Sequence, residues 1–191
     1  MLRRSVVEIT RPEVEPVSLS MAKAQLGLLP EQEDDHELIL RLVSTGRALV
    51  EKRLGVSLAA RRFRATFVPD GTSRLRLPAP PLLLDATHPL EVTVGGVVVS
   101  AATYVVDADS RPAEIRFASM PNVNVDDGLV VTFWGGPPPG EPIDAGLESV
   151  ILLYVGHWFR NREAVLTGTI SEILPAGAET LLAAHSVTGA W

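Results

Sequence analysis

The sequence predicts an α+β chain: a bundle of about four helices with an antiparallel, β-sandwich-like module inserted in the middle. Three observations predict it. Residues 34–54 carry apolar side chains at the three-and-four spacing of an amphipathic helix. Residues 62–134 switch to period-two alternation broken by regular turn signals. A second long apolar helical stripe then returns from about Asp144 to Arg162. The two outer helical regions each have an apolar face and no helical neighbour in sequence, so they are expected to pack on each other around the insert.

Taken in order, residues 1–17 read as an extended arm punctuated by Pro12 and Pro16. Ser18 or Ser20 caps a short helix that Gly27 and Pro30 end. Asp34, with Glu37 three residues on, has the pattern of a capping box. The helix behind it is the strongest in the chain: Leu38, Ile39, Leu42, Val43, Leu49, Val50 and Leu54 share one face, and Gly55 supplies the stop. These helices, residues 18–61, form the N-terminal part of the bundle.

The β module spans residues 62–136. Phe63, Ala65 and Phe67 alternate with Arg64 and Thr66, and Ser73–Leu77 alternates again after the turn Pro69-Asp70-Gly71. Pro78-Ala79-Pro80-Pro81 interrupts the ladder, since proline donates no hydrogen bond. Glu91–Val94 and Val97–Val99 flank Gly95-Gly96 as a hairpin. Strands at 103–106, 114–117 and 129–134 complete the module. A stiff Gly-Gly-Pro-Pro-Pro-Gly turn then leads into the C-terminal helices, residues 137–184, with Pro175 separating a last short helix at about 176–184. Residues 185–191 read as a tail without periodicity.

Composition excludes several function classes. The 191 residues carry 17 basic and 23 acidic side chains, a formal charge of −6, which disfavours non-specific binding of nucleic acid. Arg3-Arg4 and Arg61, Arg62 and Arg64 read as ordinary surface charge. The absence of cysteine removes disulfides, thiolate catalysis and cysteine-ligated metals. MLRRS is followed by a charged, proline-broken stretch rather than a signal-peptide core, and the longest apolar run, Val150–Val155, is far too short to cross a membrane.

The chemistry-bearing residues exclude further classes. His36, His88, His157 and His185 have no second histidine or carboxylate at metal-ligand spacing, so no metal and no cofactor are expected. No nucleophile elbow, phosphate loop or dinucleotide fingerprint occurs. Asp107, Asp109, Asp126 and Asp127 are turn aspartates before they are calcium ligands. The stretch HWFRNREAV, from His157 to Val165, looks like an active-site inventory. On a helix, however, Tyr154 and Trp158 close an apolar stripe, and Arg160 and Arg162 complement the helix dipole. No catalytic residue is assigned.

PVSLSMAKAQLGL, then DDHELILRLVSTGRALVEKRLGV, then a strand region ending VTFWGG, then HWFRNREAV, resembles in order and spacing the head–tail connector, or adaptor, family of long-tailed phages and gene transfer agents. The resemblance covers roughly residues 16–184, with His157, Trp158, Asn161, Arg162 and Glu163 forming its last motif. Gly46-Arg47 departs from it, where such helices usually carry alanine-like residues; Gly46 either permits close helix approach or weakens the helix. The resemblance implies a structural, non-enzymatic virion protein at the head–tail junction, assembled in the bacterial cytoplasm. It implies a ring of twelve copies under the portal protein, contacting neighbouring subunits and a tail-side connector or stopper. DNA would pass through its channel without sequence-specific contacts, and the net negative charge is compatible with a wall that does not grip phosphates. It also implies portal docking by the C-terminal segment 176–191, with Leu181, Leu182, His185, Val187 and Trp191 as the expected contacts. The competing reading is a stand-alone module that binds a protein or carbohydrate through strand aromatics, for which Phe63, Phe67, Tyr104, Phe117 and Trp134 are the candidates.

Overall fold

The computed structural model describes residues 2–68, 70–123, 128–161 and 176–187. The chain divides into two compact units, and each is built from pieces that are distant in sequence. One comprises residues 1–14 and 55–139, the other 15–54 and 140–190.

The first unit is the β module. Its strands are β1 (Leu2–Glu8), β2 (Arg61–Val68), β3 (Arg74–Arg76), β4 (Leu82–Leu83), β5 (Glu91–Val94), β6 (Val97–Val98), β7 (Tyr104–Asp107), β8 (Glu114–Phe117) and β9 (Leu129–Gly135). One sheet has the order β1-β2-β9-β5-β6, with β4 also paired to β9; a second has the order β3-β8-β7. Every pairing is antiparallel. The alternation read from Phe63, Ala65 and Phe67 is the inward face of β2, which meets Val131 and Phe133 of β9 and Leu75, Ile115 and Phe117 of the second sheet in one apolar core. Phe63 and Phe133 stack there with ring centroids 5.7 Å apart. Gly95 and Gly96, at φ 56° and 80°, form the two-residue hairpin turn between β5 and β6 that only residues tolerant of positive φ make without strain.

Two strands lie where the sequence showed none. Residues 2–8 of the expected arm form β1, which pairs along β2 with a register shift between Arg3 and Ser5. β4 lies just beyond the proline stretch. Arg61 opposite Gly135 places the first and last long strands of the inserted segment side by side, so the segment leaves its unit close to where it entered.

The second unit is helical: α1 (Leu19–Leu26), α2 (His36–Leu54), α3 (Ala145–Arg160) and α4 (Ala176–Val187). Ser18 caps α1, its hydroxyl accepting from the Met21 N–H at 3.2 Å, and Gly27 closes the helix in the left-handed region. The first i to i+4 bond of α2 runs from the Ile39 N–H to the Asp35 carbonyl, so the cap falls at Asp35, one residue later than the expected Asp34. Asp144 caps α3, accepting from the Gly146 N–H at 2.7 Å. α2 packs on α3, and α3 on α4, burying Ile39, Val43 and Val50 with Val150, Ile151 and Val155. Gly46 lies at this crossing: a Cβ there would sit 3.3 Å from Ile151 Cγ2, so glycine permits the close approach. α4 runs three residues past the expected end at Ala184, taking in the start of what was read as the tail.

Candidate functional site

The last turns of α3 carry the motif that stood out in the sequence. Trp158 is buried and stacks on Tyr154 one turn earlier, with centroids 5.0 Å apart and planes 23° from parallel. Asn161 is the C-cap: its backbone N–H and its side-chain Nδ2 both donate to the His157 carbonyl, at 3.2 and 2.8 Å. The dense run of polar and aromatic residues is thus a helix terminus with its orphan carbonyl satisfied. Arg162 and Glu163 lie outside the described residues.

In α4, Ala178 and Leu182 are buried in the bundle, while Leu181 is half-buried and Glu179, Thr180, Ala183 and Ala184 are exposed. Val187 is the last helical residue, and Trp191 lies outside the described residues. His185 fixes α4 to the start of α3. Its Nδ1 is 2.8 Å from the Leu181 carbonyl and its Nε2 is 2.9 Å from Asp144 Oδ1, so both ring nitrogens face acceptors and an imidazolium donates to both. The Leu181 carbonyl raises the His185 pKa above its ordinary value; partial burial opposes this and the Asp144 carboxylate adds to it. The Gly146 N–H, then His185, hold the Asp144 carboxyl below the usual range. A Cβ on Gly146 would fall 2.9 Å from His185 Cε1, so the glycine leaves room for the ring.

The groups that sequence reasoning missed are buried charges. Arg47 lies inside the helical unit, its Nε 2.7 Å from Glu15 and its Nη1 2.6 Å from Glu51, which is itself buried. Burial works against the charge on Arg47, but the Glu51 and Glu15 carboxylates more than offset it and the pKa is raised. Lys23 is also buried, donating to the Pro30 carbonyl at 2.6 Å. In the β unit Arg61 is not the surface charge expected: it is buried, lies 3.1 Å from Glu8 and sits over the Phe63 ring at 5.1 Å. Its position on the inward face of β2 signalled this, as did the i, i+4 spacing of Arg47 and Glu51; the partners Glu15 and Glu8 are too distant in sequence to be seen.

Polar constellations elsewhere are structural. His88 Nδ1 lies 2.8 Å from Asp85 Oδ2 and the ring meets the Trp134 ring edge-on at 4.9 Å. Thr87, then His88, hold the Asp85 carboxyl far below the usual range. The small cavity beside this pair, about 70 Å³, is lined by Glu13, Val14, Ala60, His88, Trp134 and Pro139. Thr87 Oγ1 lies 2.9 Å from His88 Nδ1 and donates to Asp85 Oδ1 at 2.7 Å, so the three side chains brace one turn. Asp107 is occupied by Ser110 and Arg116, and Asp126 and Asp127 lie outside the described residues. No group of three or more potential metal ligands, and no helix long and apolar enough to cross a membrane, occurs among the described residues. Of the strand aromatics, Phe63, Phe67 and Phe117 are core, and Tyr104 and Trp134 are half-buried.

No protein-family model and no curated protein matches the chain. Solved structures do, as a fold: an α+β chain of helical bundle and antiparallel sheets shared over nearly the full length of both partners. A chain in the neck of an empty GTA particle computed with C6 symmetry superposes with a TM-score of 0.75 at 18% identity, covering 95% of this chain and 94% of that one. A chain in the virion of a native gene transfer agent (GTA) particle gives 0.72 at 17% identity over 94% and 93%. A third, in the neck of a native GTA particle computed with C12 symmetry, gives 0.71 at 15% identity over 95% and 94%.

Proposed function

We propose that this chain is a structural subunit of the head–tail junction of a phage or gene transfer agent: an adaptor that forms a ring between the capsid portal and the tail and extends the DNA channel. The observation that carries this reading is the nearly full-length correspondence of the fold with chains from the neck or virion of GTA particles, at TM-scores of 0.71 to 0.75. Its second support is chemical. Among the described residues the polar clusters cap helices, pair buried charges and brace loops, which suits a mechanical role.

The ring has twelve copies in this reading, placed between the portal and a tail-side connector or stopper, and its location is the virion. The C-terminal segment 176–191 docks on the portal. Because Ala178 and Leu182 belong to the bundle core, the contacts fall to the outward residues of α4 and to Val187 and Trp191. DNA passes without base-specific contacts along a wall whose net charge does not hold phosphate.

Native mass spectrometry tests this with the 20.5 kDa chain alone and mixed with its cognate portal ring. One copy bound per portal subunit is the expected result. Trp191→Ala should weaken loading by at least about tenfold, as loss of an aromatic anchor does. A chain that ignores the portal would remove the adaptor role and leave the fold.

A further inference from the structure

A cyclic ring joins subunits head to tail, so each copy must carry two different patches that fit one another. The β unit carries such a pair at opposite ends of one sheet. β1 and β6 are its terminal strands, four strand spacings or roughly 19 Å apart. At the β1 edge Val7 is 57% exposed and Ile9 40%. At the other edge Val97 and Val98 of β6 are 71% and 61% exposed. Edge strands with this much aliphatic surface are sites of association unless something covers them.

Charge distinguishes the two edges. Exposed Arg3 and Arg11 lie on and just past β1, and neither has an ion-pair partner among the described residues. Glu91, on β5 beside β6, is exposed and equally without one, while the segment 95–103 that follows it carries no charge. Glu8 at the end of β1 is taken up by Arg61 and exposed Glu13 further along offsets part of the positive charge, so one edge is aliphatic and net basic, the other aliphatic and acidic, and like edges repel.

We infer that a second copy of this chain docks its β1 edge against the β6 edge of the first, with Val7 and Ile9 on Val97 and Val98, and Arg3 and Arg11 toward Glu91. The inference rests on the ring reading above and assigns the ring's lateral contact to the β unit.

The absence of native cysteine makes the test unambiguous. Val7→Cys is mixed with Val97→Cys or Val98→Cys, under conditions where native mass spectrometry shows the ring, and treated with a short bis-maleimide. Mixed pairs should give a covalent dimer, each single variant alone almost none, and the Val7→Cys/Val98→Cys double variant a ladder of higher oligomers. A ring that forms while no mixed pair cross-links overturns the inference and leaves the ring reading standing. Efficient cross-linking of Val7→Cys to itself would mean like edges meet, which also overturns it. Failure of any ring to form, alone or on the portal, removes both.

Discussion

Replacing Arg47 by methionine isolates the buried ion cluster of the helical unit. Each carboxylate is in contact with the guanidinium, at 2.7 Å for Glu15 and 2.6 Å for Glu51, which puts the charge centres about 4 Å apart. At an effective dielectric of about 20 each attraction is roughly 4 kcal/mol, and it offsets a desolvation penalty of several kcal/mol per buried ion. Methionine fills most of the volume but removes both attractions, leaving Glu51 buried with its charge uncompensated by Arg47. Glu15 is partly hydrated and contributes less. The expected loss is about 3–5 kcal/mol at pH 7. Urea denaturation followed by far-ultraviolet circular dichroism measures it, with Arg47→Met/Glu51→Leu as the second variant. That double variant removes the stranded charge and should recover most of the loss. If Arg47→Met alone costs under about 1 kcal/mol, or the double variant is no better than the single, Glu51 does not depend on Arg47 for its charge and the reasoning fails.

Gly136→Ala should be the most damaging single methyl addition in the β unit. At φ 106° the new Cβ would overlap the Ala59 carbonyl oxygen, a backbone atom that cannot move aside, so a drop of several degrees in the melting temperature or loss of soluble protein is expected. Gly46→Ala brings its Cβ to 3.3 Å from the Ile151 Cγ2 methyl, with the Ile151 carbonyl oxygen and Tyr154 Cβ at ordinary contact distances of 3.5 and 3.6 Å, and gains up to about 1 kcal/mol of helix propensity, so its stability should change little, whereas Gly46→Leu should cost at least about 2 kcal/mol by urea denaturation. The contact between His185 and Asp144 has a defined pH window. His185, with its pKa raised, contributes fully below its unfolded value near 6.5 and loses the contribution as pH rises through the folded value; Asp144, with its pKa lowered, contributes above about 3.8 and loses it as pH falls. Amide exchange of α4 should therefore be slowest between about pH 4 and 6.5, after correction for intrinsic exchange, and His185→Gln should flatten the profile, by well under 1 kcal/mol for so exposed a pair.

The helices were legible because each carries its own evidence. Leu42, Val43 and Val50 repeat at helical spacing, and Ser18, Gly27 and Asp144 mark ends by local chemistry. The long strands were legible for the same reason, since Phe63, Ala65 and Phe67 reveal their inward face by alternation alone. β1 was not. LRRSVVE has no clean alternation, because it is an edge strand with a register shift and its partner lies more than fifty residues away. The buried charges were hidden for a related reason: Arg61 and Arg47 look like surface residues until the chain brings Glu8 and Glu15 to them. In the docking segment, sequence grouped Leu182 with Trp191, yet packing assigns Leu182 to the bundle, because the apolar face of a short helix reads alike whether it meets its own chain or another.

The side-by-side placement of Arg61 and Gly135 has a consequence for synthesis on the ribosome. Everything the β unit needs, residues 1–14 and 55–139, has emerged before α3 begins. α1 and α2 emerge earlier but find their helical partners only when residues 145–160 and 176–187 follow. The nascent chain therefore completes its sheets first, and the closed sheet brings the two strands of connecting chain together. Strand pairing across its two ends makes the roughly ninety residues between α2 and α3 a closed loop, which shortens the search between the two helices to that of near neighbours.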